Sequence, residues 1–229
     1  VGMAVLRDLG IEPTGRRPDV GGVVVWDGEP HRAPFTPAGL ARTRFLDWRD
    51  RLALGRVMAT LGRIDPAPLA AVPTAEWLDH VAPRPRCRAV LEARVRLSTY
   101  AADVDVLSAE VAVDQLQRSV DGGVLYLDHG WRQLSEALAA HPRIEVRHGT
   151  RLRALPDGAA VVVATGDAAS TGSLVGMEFA TGPAATMASL DLGLPAPAAT
   201  SFALGLDVPM YASEHGVAAG HAPNGSTSV

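Results

Sequence analysis

Residues 122–166 read GGVLYLDHGWRQLSEALAAHPRIEVRHGTRLRALPDGAAVVVATG, a run that passes from strand to helix to strand and ends on a turn of small residues. Gly122 to Asp128 reads as a short strand. Gly130 opens a helix in which Trp131, Leu134 and Leu138 fall at i, i+3 and i+7, and His141-Pro142 stops it. Residues 144–148 alternate apolar and polar, as a half-buried strand does, whereas residues 160–164 are continuously apolar, the pattern of a strand buried on both faces. Thr165-Gly166 then lets the backbone turn tightly at that strand's carboxyl end, the edge at which open α/β sheets hold their ligands. This stretch predicts a mixed α/β fold with a nucleotide-binding segment.

The 229 residues are 47% hydrophobic and 20% charged, enough to bury a core in one large domain or two small ones. A formal charge of -4, from 25 acidic against 21 basic residues, implies no basic face and argues against nucleic acid as a partner. No apolar run reaches the roughly 18 residues of a membrane span, and no leader pattern opens the chain, so a cytoplasmic location is the expectation. Cys87 stands alone and can form no internal disulfide.

Every basic residue is arginine; lysine is absent. That removes an internal Schiff base and a lysine-bearing phosphate loop from the possible chemistries. No G-x-S-x-G elbow occurs. His215 and His221 lie outside a helical i, i+4 spacing, and Cys87 has no second thiol beside it, so no zinc site is expected. Asp103 with Asp105, and Glu110 with Asp114, read as solvated faces, and no catalytic acid or base is nominated.

Before that stretch, residues 3–9 read as a helix end closed by Gly10. Val23 to Trp26, Asp27-Gly28 and His31-Arg32 read as a hairpin, and residues 34–39 as a linker. From Arg42 to Val120 the chain is helical. Leu54, Val57, Met58 and Leu61 form one buried stripe; Thr74 is placed as the cap of a second helix, with Trp77, Leu78 and Val81 inward. Cys87, Val90, Leu91 and Arg94 share a face of a third, which puts a charge on an apolar stripe. Ser108 caps a fourth, with Ala109, Ala112, Val113 and Leu116 inward. Such a lobe beside a sheet domain commonly covers a cavity, into which Arg94 and Tyr100 are candidates to reach. After the central stretch come a short helix from Asp167 to Gly176, strands at 187–192, 202–206 and 209–213, and a frayed tail beyond Val217.

The central stretch resembles the second dinucleotide-fold segment of flavin-dependent oxidoreductases of the amine oxidase and phytoene desaturase superfamily. The likeness lies in the glycine turn and helix at Gly130, the Gly149-Thr150-Arg151 strand, and Val162-Val163-Ala164-Thr165-Gly166. Leu9 to Glu12, Trp77 to Asp79, Leu97 to Tyr100 and Phe202 to Tyr211 are similar to further pieces of that family in the same order. The resemblance implies a partial FAD/NAD(P)-binding Rossmann-like domain with an inserted helical lobe and an antiparallel substrate-side sheet. It divides the chain into 1–19, the end of an FAD-domain segment; 20–36, a sheet hairpin; 37–121, the helical lobe; 122–176, the FAD-binding segment; and 177–229, substrate-side strands and tail.

By the same resemblance FAD would meet Arg151, Leu152, Ala164, Thr165 and Gly166, with Arg151 to Leu155 and the strand from Ala160 forming a hairpin around Pro156-Asp157-Gly158. A small-molecule substrate would meet Arg94, Tyr100, Gly130, Trp131 and Tyr211. The implied reaction removes a hydride from an organic, apolar substrate. No G-x-G-x-x-G turn occurs, and the family's closing flavin segment is not recognisable. The chain is therefore expected to be a fragment that needs N- and C-terminal segments of the same fold and is inactive alone. The competing readings are a non-catalytic remnant, a small-molecule-binding domain without turnover, and a nicotinamide-dependent reductase.

Overall fold

The computed structural model describes residues 2–17, 21–122, 124–128, 130–158, 160–180, 187–195, 201–214, 216 and 227–229. The chain divides into two units, residues 1–134 with 189–229, and residues 135–188.

The larger unit opens with helix α1 (Gly2–Asp8), which ends before Gly10 in a left-handed conformation at φ 70°. Strand β1 (Gly15–Arg16) follows. Strands β2 (Val23–Trp26) and β3 (Glu29–Arg32) form the expected hairpin. Asp27 and Gly28 both take positive φ, 52° and 77°, so the turn twists in the sense of its strands. The linker expected at 34–39 instead holds a six-residue helix, α2 (Pro37–Arg42), whose N-cap Thr36 accepts the Gly39 N–H at 2.9 Å. Proline at the first helical position gives up no intrahelical hydrogen bond there, so its presence did not exclude a helix.

Four helices then build the core: α3 (Trp48–Leu61), α4 (Thr74–Val81), α5 (Pro85–Thr99) and α6 (Ala109–Gly122). The inward faces are those their periodicities predicted. Leu54, Val57 and Leu61, Trp77 and Leu78, Cys87, Val90 and Leu91, and Ala109, Ala112, Val113 and Leu116 are all buried, and Met58 and Val81 pack partly buried against them. Ser108 caps α6, accepting the Glu110 N–H at 3.2 Å. Thr74 is not the cap of α4. It lies inside the helix, fully buried, and its hydroxyl donates to the Leu107 carbonyl at 2.8 Å, tying α4 to the turn before α6.

Helix α3 begins with a reciprocal box. Asp47 accepts the Asp50 N–H at 2.7 Å, and Asp50 accepts the Asp47 N–H at 3.3 Å. Arg84 bridges both carboxylates. The Asp50 N–H and then the Arg84 charge hold the Asp47 carboxyl below its usual range. Beneath this bridge the fully buried Cys87 thiol donates to the Asp50 carbonyl at 3.1 Å, and burial pushes it up to about 11. Alkylation by iodoacetamide at pH 8 is therefore expected to be slow in the folded chain and fast in denaturant, timed by mass spectrometry. Because unfolding returns the thiol to its ordinary value near 9.0, its contribution to stability falls as pH rises from 9.0 to about 11.

Strand β4 (Tyr126–Leu127) pairs antiparallel with β1. The strand expected from Gly122 is thus reduced to two residues, because α6 runs on to Gly122. Helix α7 (Arg132–Ala139) follows, with Gly130 at φ 67° just before it. The second unit carries helix α8 (Ala168–Val175), capped by Asp167, which accepts the Ser170 N–H at 2.6 Å, and closed by left-handed Gly176. That bond holds the Asp167 carboxyl below its usual range.

The strands expected at 144–148 and 160–164 do not form. These residues make no ladder among the described ones, and Val162 is 92% exposed. A strand is stable only beside a hydrogen-bonded neighbour, and the described residues of this unit supply none. The hairpin around residues 156–158 likewise keeps its turn, with Gly158 at φ 76°, but not its ladder.

Back in the larger unit, β5 (Gly193–Leu194) pairs with β8 (Thr227–Ser228), and Leu192 exchanges two backbone hydrogen bonds with Val229 just beyond it; of the strand expected at 187–192, residues 187–191 pair with no described strand. Strands β6 (Phe202–Gly205) and β7 (Tyr211–Ser213) complete a four-stranded sheet in the order β3-β2-β6-β7. It is mixed rather than antiparallel, because β2 and β6 run parallel. Pro30 sits on the edge strand β3, where a missing N–H costs no ladder bond. Helices and mixed sheets make the chain α+β. The tail expected to fray beyond Val217 falls mostly outside the described residues, as do His215 and His221. No described helix is long and apolar enough to cross a membrane.

Candidate functional site

Two of the residues nominated from sequence, Arg94 and Tyr211, lie along one aromatic run in the larger unit. Helix α5 presents Arg94, whose guanidinium stands 4.9 Å from the centre of the Phe35 ring. Phe35, in the loop before α2, stacks on Phe202 of β6 at 6.0 Å between centroids and 16° between planes. Phe202 in turn meets Tyr211 of the neighbouring edge strand β7 at 6.4 Å. Gly22 makes room for this stack: a Cβ there would fall 2.5 Å from the Phe202 ring. Tyr211 is 44% exposed, yet partial burial pushes its phenol up to about 12, with the neighbouring phenols of Tyr126 and Tyr100 adding to the rise. It therefore stays protonated and able to donate a hydrogen bond throughout the physiological range.

Tyr100 caps the carboxyl end of α5 in the left-handed region at φ 56°, a place usually given to glycine. This conformation costs a residue with a Cβ on the order of 1–2 kcal/mol. It leaves the Tyr100 ring 66% exposed.

Arg94 differs from the arginines around it. Arg88 and Arg96 on the same helix pair with Glu92, and Arg118 on α6 pairs with Asp114 at 2.7 Å. Arg86 has no carboxylate either, but it is exposed to water and donates to the Phe45 carbonyl at 2.7 Å. Arg94 is largely covered, its hydrogen bond among the described residues is to the Ser119 hydroxyl at 3.2 Å, and burial lowers its pKa.

Gly130 turns the chain into α7, and Trp131 is 80% exposed with no ring partner among the described residues. Arg151, Leu152, Ala164, Thr165 and Gly166 all belong to the second unit. There Leu152 is 57% exposed, and Arg151 makes no hydrogen bond or ion pair among the described residues. Gly166 turns at φ 85° into the capped start of α8. The Thr165 hydroxyl donates to the Asp167 carbonyl at 3.1 Å and lies 2.7 Å from the Thr171 hydroxyl. The alanine-threonine-glycine turn thus exists as a local structure even though the strand before it does not pair. No group of three or more His, Cys, Asp or Glu side chains among the described residues could hold a metal ion.

Phe35, Phe202 and Tyr126 complete the run without having been nominated. Phe35 sits in a proline- and glycine-rich loop, and nothing in its local sequence connects it to Arg94, fifty-nine positions away. Phe202 reaches Phe35 from β6, which pairs with β2 in the same sheet.

No curated protein and no solved structure matches the chain. A family model described as flavin containing amine oxidoreductase matches residues 3–190, from α1 through the second unit. A match over that span, taking in the core helices as well as the glycine turn at Gly166, places this chain in the family of flavin containing amine oxidoreductases.

Proposed function

We propose that this chain serves an FAD-dependent oxidation in which a hydride is removed from an organic, largely apolar substrate. The observation that carries the substrate side is the run Arg94, Phe35, Phe202 and Tyr211, a series of aromatic rings with a polar group at each end. Tyr100, Gly130 and Trp131 are assigned to the substrate on the family resemblance alone. A cytoplasmic location belongs to the same reading and rests on the single, unpaired Cys87.

The residues assigned to the cofactor fit its nucleotide end. The backbone at 151–152 and 160–164 has no ladder partner, so its N–H and C=O groups remain available to a base edge. The Arg151 guanidinium is uncommitted, and Gly166 leaves open space where a Cβ would stand. When bound, a flavin supplies the two-electron acceptor for the oxidation. The protein's own part is positional: Arg94 and the aromatic rings hold and orient the substrate, the rings exclude water from one of its faces, and the Tyr211 phenol donates a hydrogen bond without releasing its proton. Phytoene-desaturase-like substrates suit such a surface better than small polar amines.

The test is a visible absorption spectrum of the chain after incubation with FAD and desalting. Retained flavin bands are expected, and Gly166→Val should lower retention several-fold, because a β-branched side chain is strained at φ 85°. A colourless wild-type protein with an unchanged circular dichroism spectrum would rule the cofactor assignment out.

A further inference from the structure

We propose that this chain associates head to tail with a second copy of itself, the basic outer face of α3 on one copy receiving the acidic turn before α6 on the other. The contact involves neither cofactor nor substrate.

The two faces carry opposite charge in a chain whose net charge is only -4. Residues 37–64 hold six arginines against two aspartates, whereas residues 101–114 hold four acids and no basic residue. Both aspartates of the first segment, Asp47 and Asp50, are bridged by Arg84. Arg42, Arg44, Arg49 and Arg56 are exposed and make no ion pair among the described residues. Asp47 is near enough to Arg49 to feel its charge, but Arg84 already holds that carboxylate. Solvated surface charges need no partner by themselves. What singles these out is the apolar surface among them. Trp48 and Leu52, one turn apart on α3, are each 68% exposed, and the Arg49 guanidinium lies 5.1 Å from the centre of the Trp48 ring. Tryptophan and arginine are the residues in which the energetic centres of protein interfaces are enriched.

The acidic face has the complementary make-up. In the turn at residues 103–107, Val104 is buried and Leu107 packs partly buried against the core. Between them Asp105 is exposed and Val106 is 72% exposed. The turn is fixed to α4, because the Ala75 N–H donates to the Val104 carbonyl at 3.0 Å and the Thr74 N–H to the Leu107 carbonyl at 2.8 Å. An apolar tip already held in place loses little freedom on docking. Glu76, Asp103, Asp105 and Glu110, on the turn and on the first turns of α4 and α6, make no ion pair among the described residues.

Within one chain the faces do not meet. The start of α3 is tied through Arg84 to the start of α5, the turn is tied to the start of α4, and no ion pair joins the two. Contact between them therefore takes two copies, and because the faces differ it is heterologous. Val106 would seat against Trp48 and Leu52, with Asp105 opposite Arg49. An anionic membrane would satisfy the arginines but leave the acidic tip without a role.

Sedimentation velocity on the whole chain at low ionic strength should show an average coefficient that rises with protein concentration. High salt should abolish the rise, because exposed charges are then screened. Arg49→Glu and Asp105→Arg should each leave a monomer with an unchanged circular dichroism spectrum. Glutamate suits the first turn of a helix, and the turn is bonded through the Asp105 N–H rather than its carboxylate. An equal mixture of the two variants should associate again, since one supplies an intact acidic face and the other an intact basic face. A wild-type chain that stays monomeric into the millimolar range overturns the proposal. So does association that survives either substitution, a mixture that stays monomeric, or a monomer that sediments with phosphatidylserine vesicles, which would give the α3 face to a membrane surface.

Discussion

Leu78→Ala is expected to lower the free energy of unfolding by about 2–5 kcal/mol, read as a shift of the urea midpoint at constant slope. Leu78 is 0% exposed and sits on α4, which packs against both α5 and α6. Removing its terminal carbons loses their transfer energy and opens a cavity bounded by three helices that cannot all collapse into it. The comparison residue is Leu52 on α3, 68% exposed, where the same substitution should stay within about 0.5 kcal/mol. Similar costs at the two sites would contradict the packing described for the bundle.

The second large effect has a sign that helix propensity alone gets wrong. Alanine is favoured over glycine in a helix interior by about 1 kcal/mol, so Gly39→Ala in α2 and Gly55→Ala in α3 would both be expected to stabilise. The surroundings separate them. A Cβ on Gly39 would stand 2.4 Å from the Ala33 carbonyl oxygen and 3.1 Å from the Thr36 hydroxyl that caps the helix. Backbone cannot move away as a flexible side chain can. Gly39→Ala should therefore destabilise by about 1–3 kcal/mol, as overpacking does. A Cβ on Gly55 meets Leu40 Cδ2 at 3.5 Å, an ordinary contact, and Gly55→Ala should stabilise by about 0.5–1 kcal/mol. Paired thermal melts decide it. The tightly packed segment at Gly39 also bears on the candidate site, because residues 33–36 carry Phe35, the ring beneath Arg94.

The elements that could be read from the chain were those whose cause is local. The stripe Leu54, Val57 and Leu61, the hairpin turn at Asp27-Gly28, the Ser108 cap and the small-residue helix after Asp167 all depend on neighbours within a few residues. The motif order that carries the family resemblance is local in the same sense, and the family match bears it out. Thr74 marks where such reasoning fails. A threonine before a helical run has the chemistry of a cap, but the Leu107 carbonyl, brought near only by the fold, takes its hydroxyl instead.

Strands depend on partners, and there the sequence could propose but not decide. Residues 160–164 have the composition of a doubly buried strand, yet they stand exposed because no described neighbour pairs with them. Residues 202–205 have a weaker pattern and form the middle of a sheet, because β2 lies alongside. The sequence by itself determined the helices, their inward faces and the chemistry excluded by the absence of lysine. Only the tertiary structure decided that β2 runs parallel to β6 and that Phe35 and Phe202 stack between Arg94 and Tyr211. Those outcomes join residues far apart in the chain, and side-chain pairing across such distances leaves no periodicity for a local reading to find.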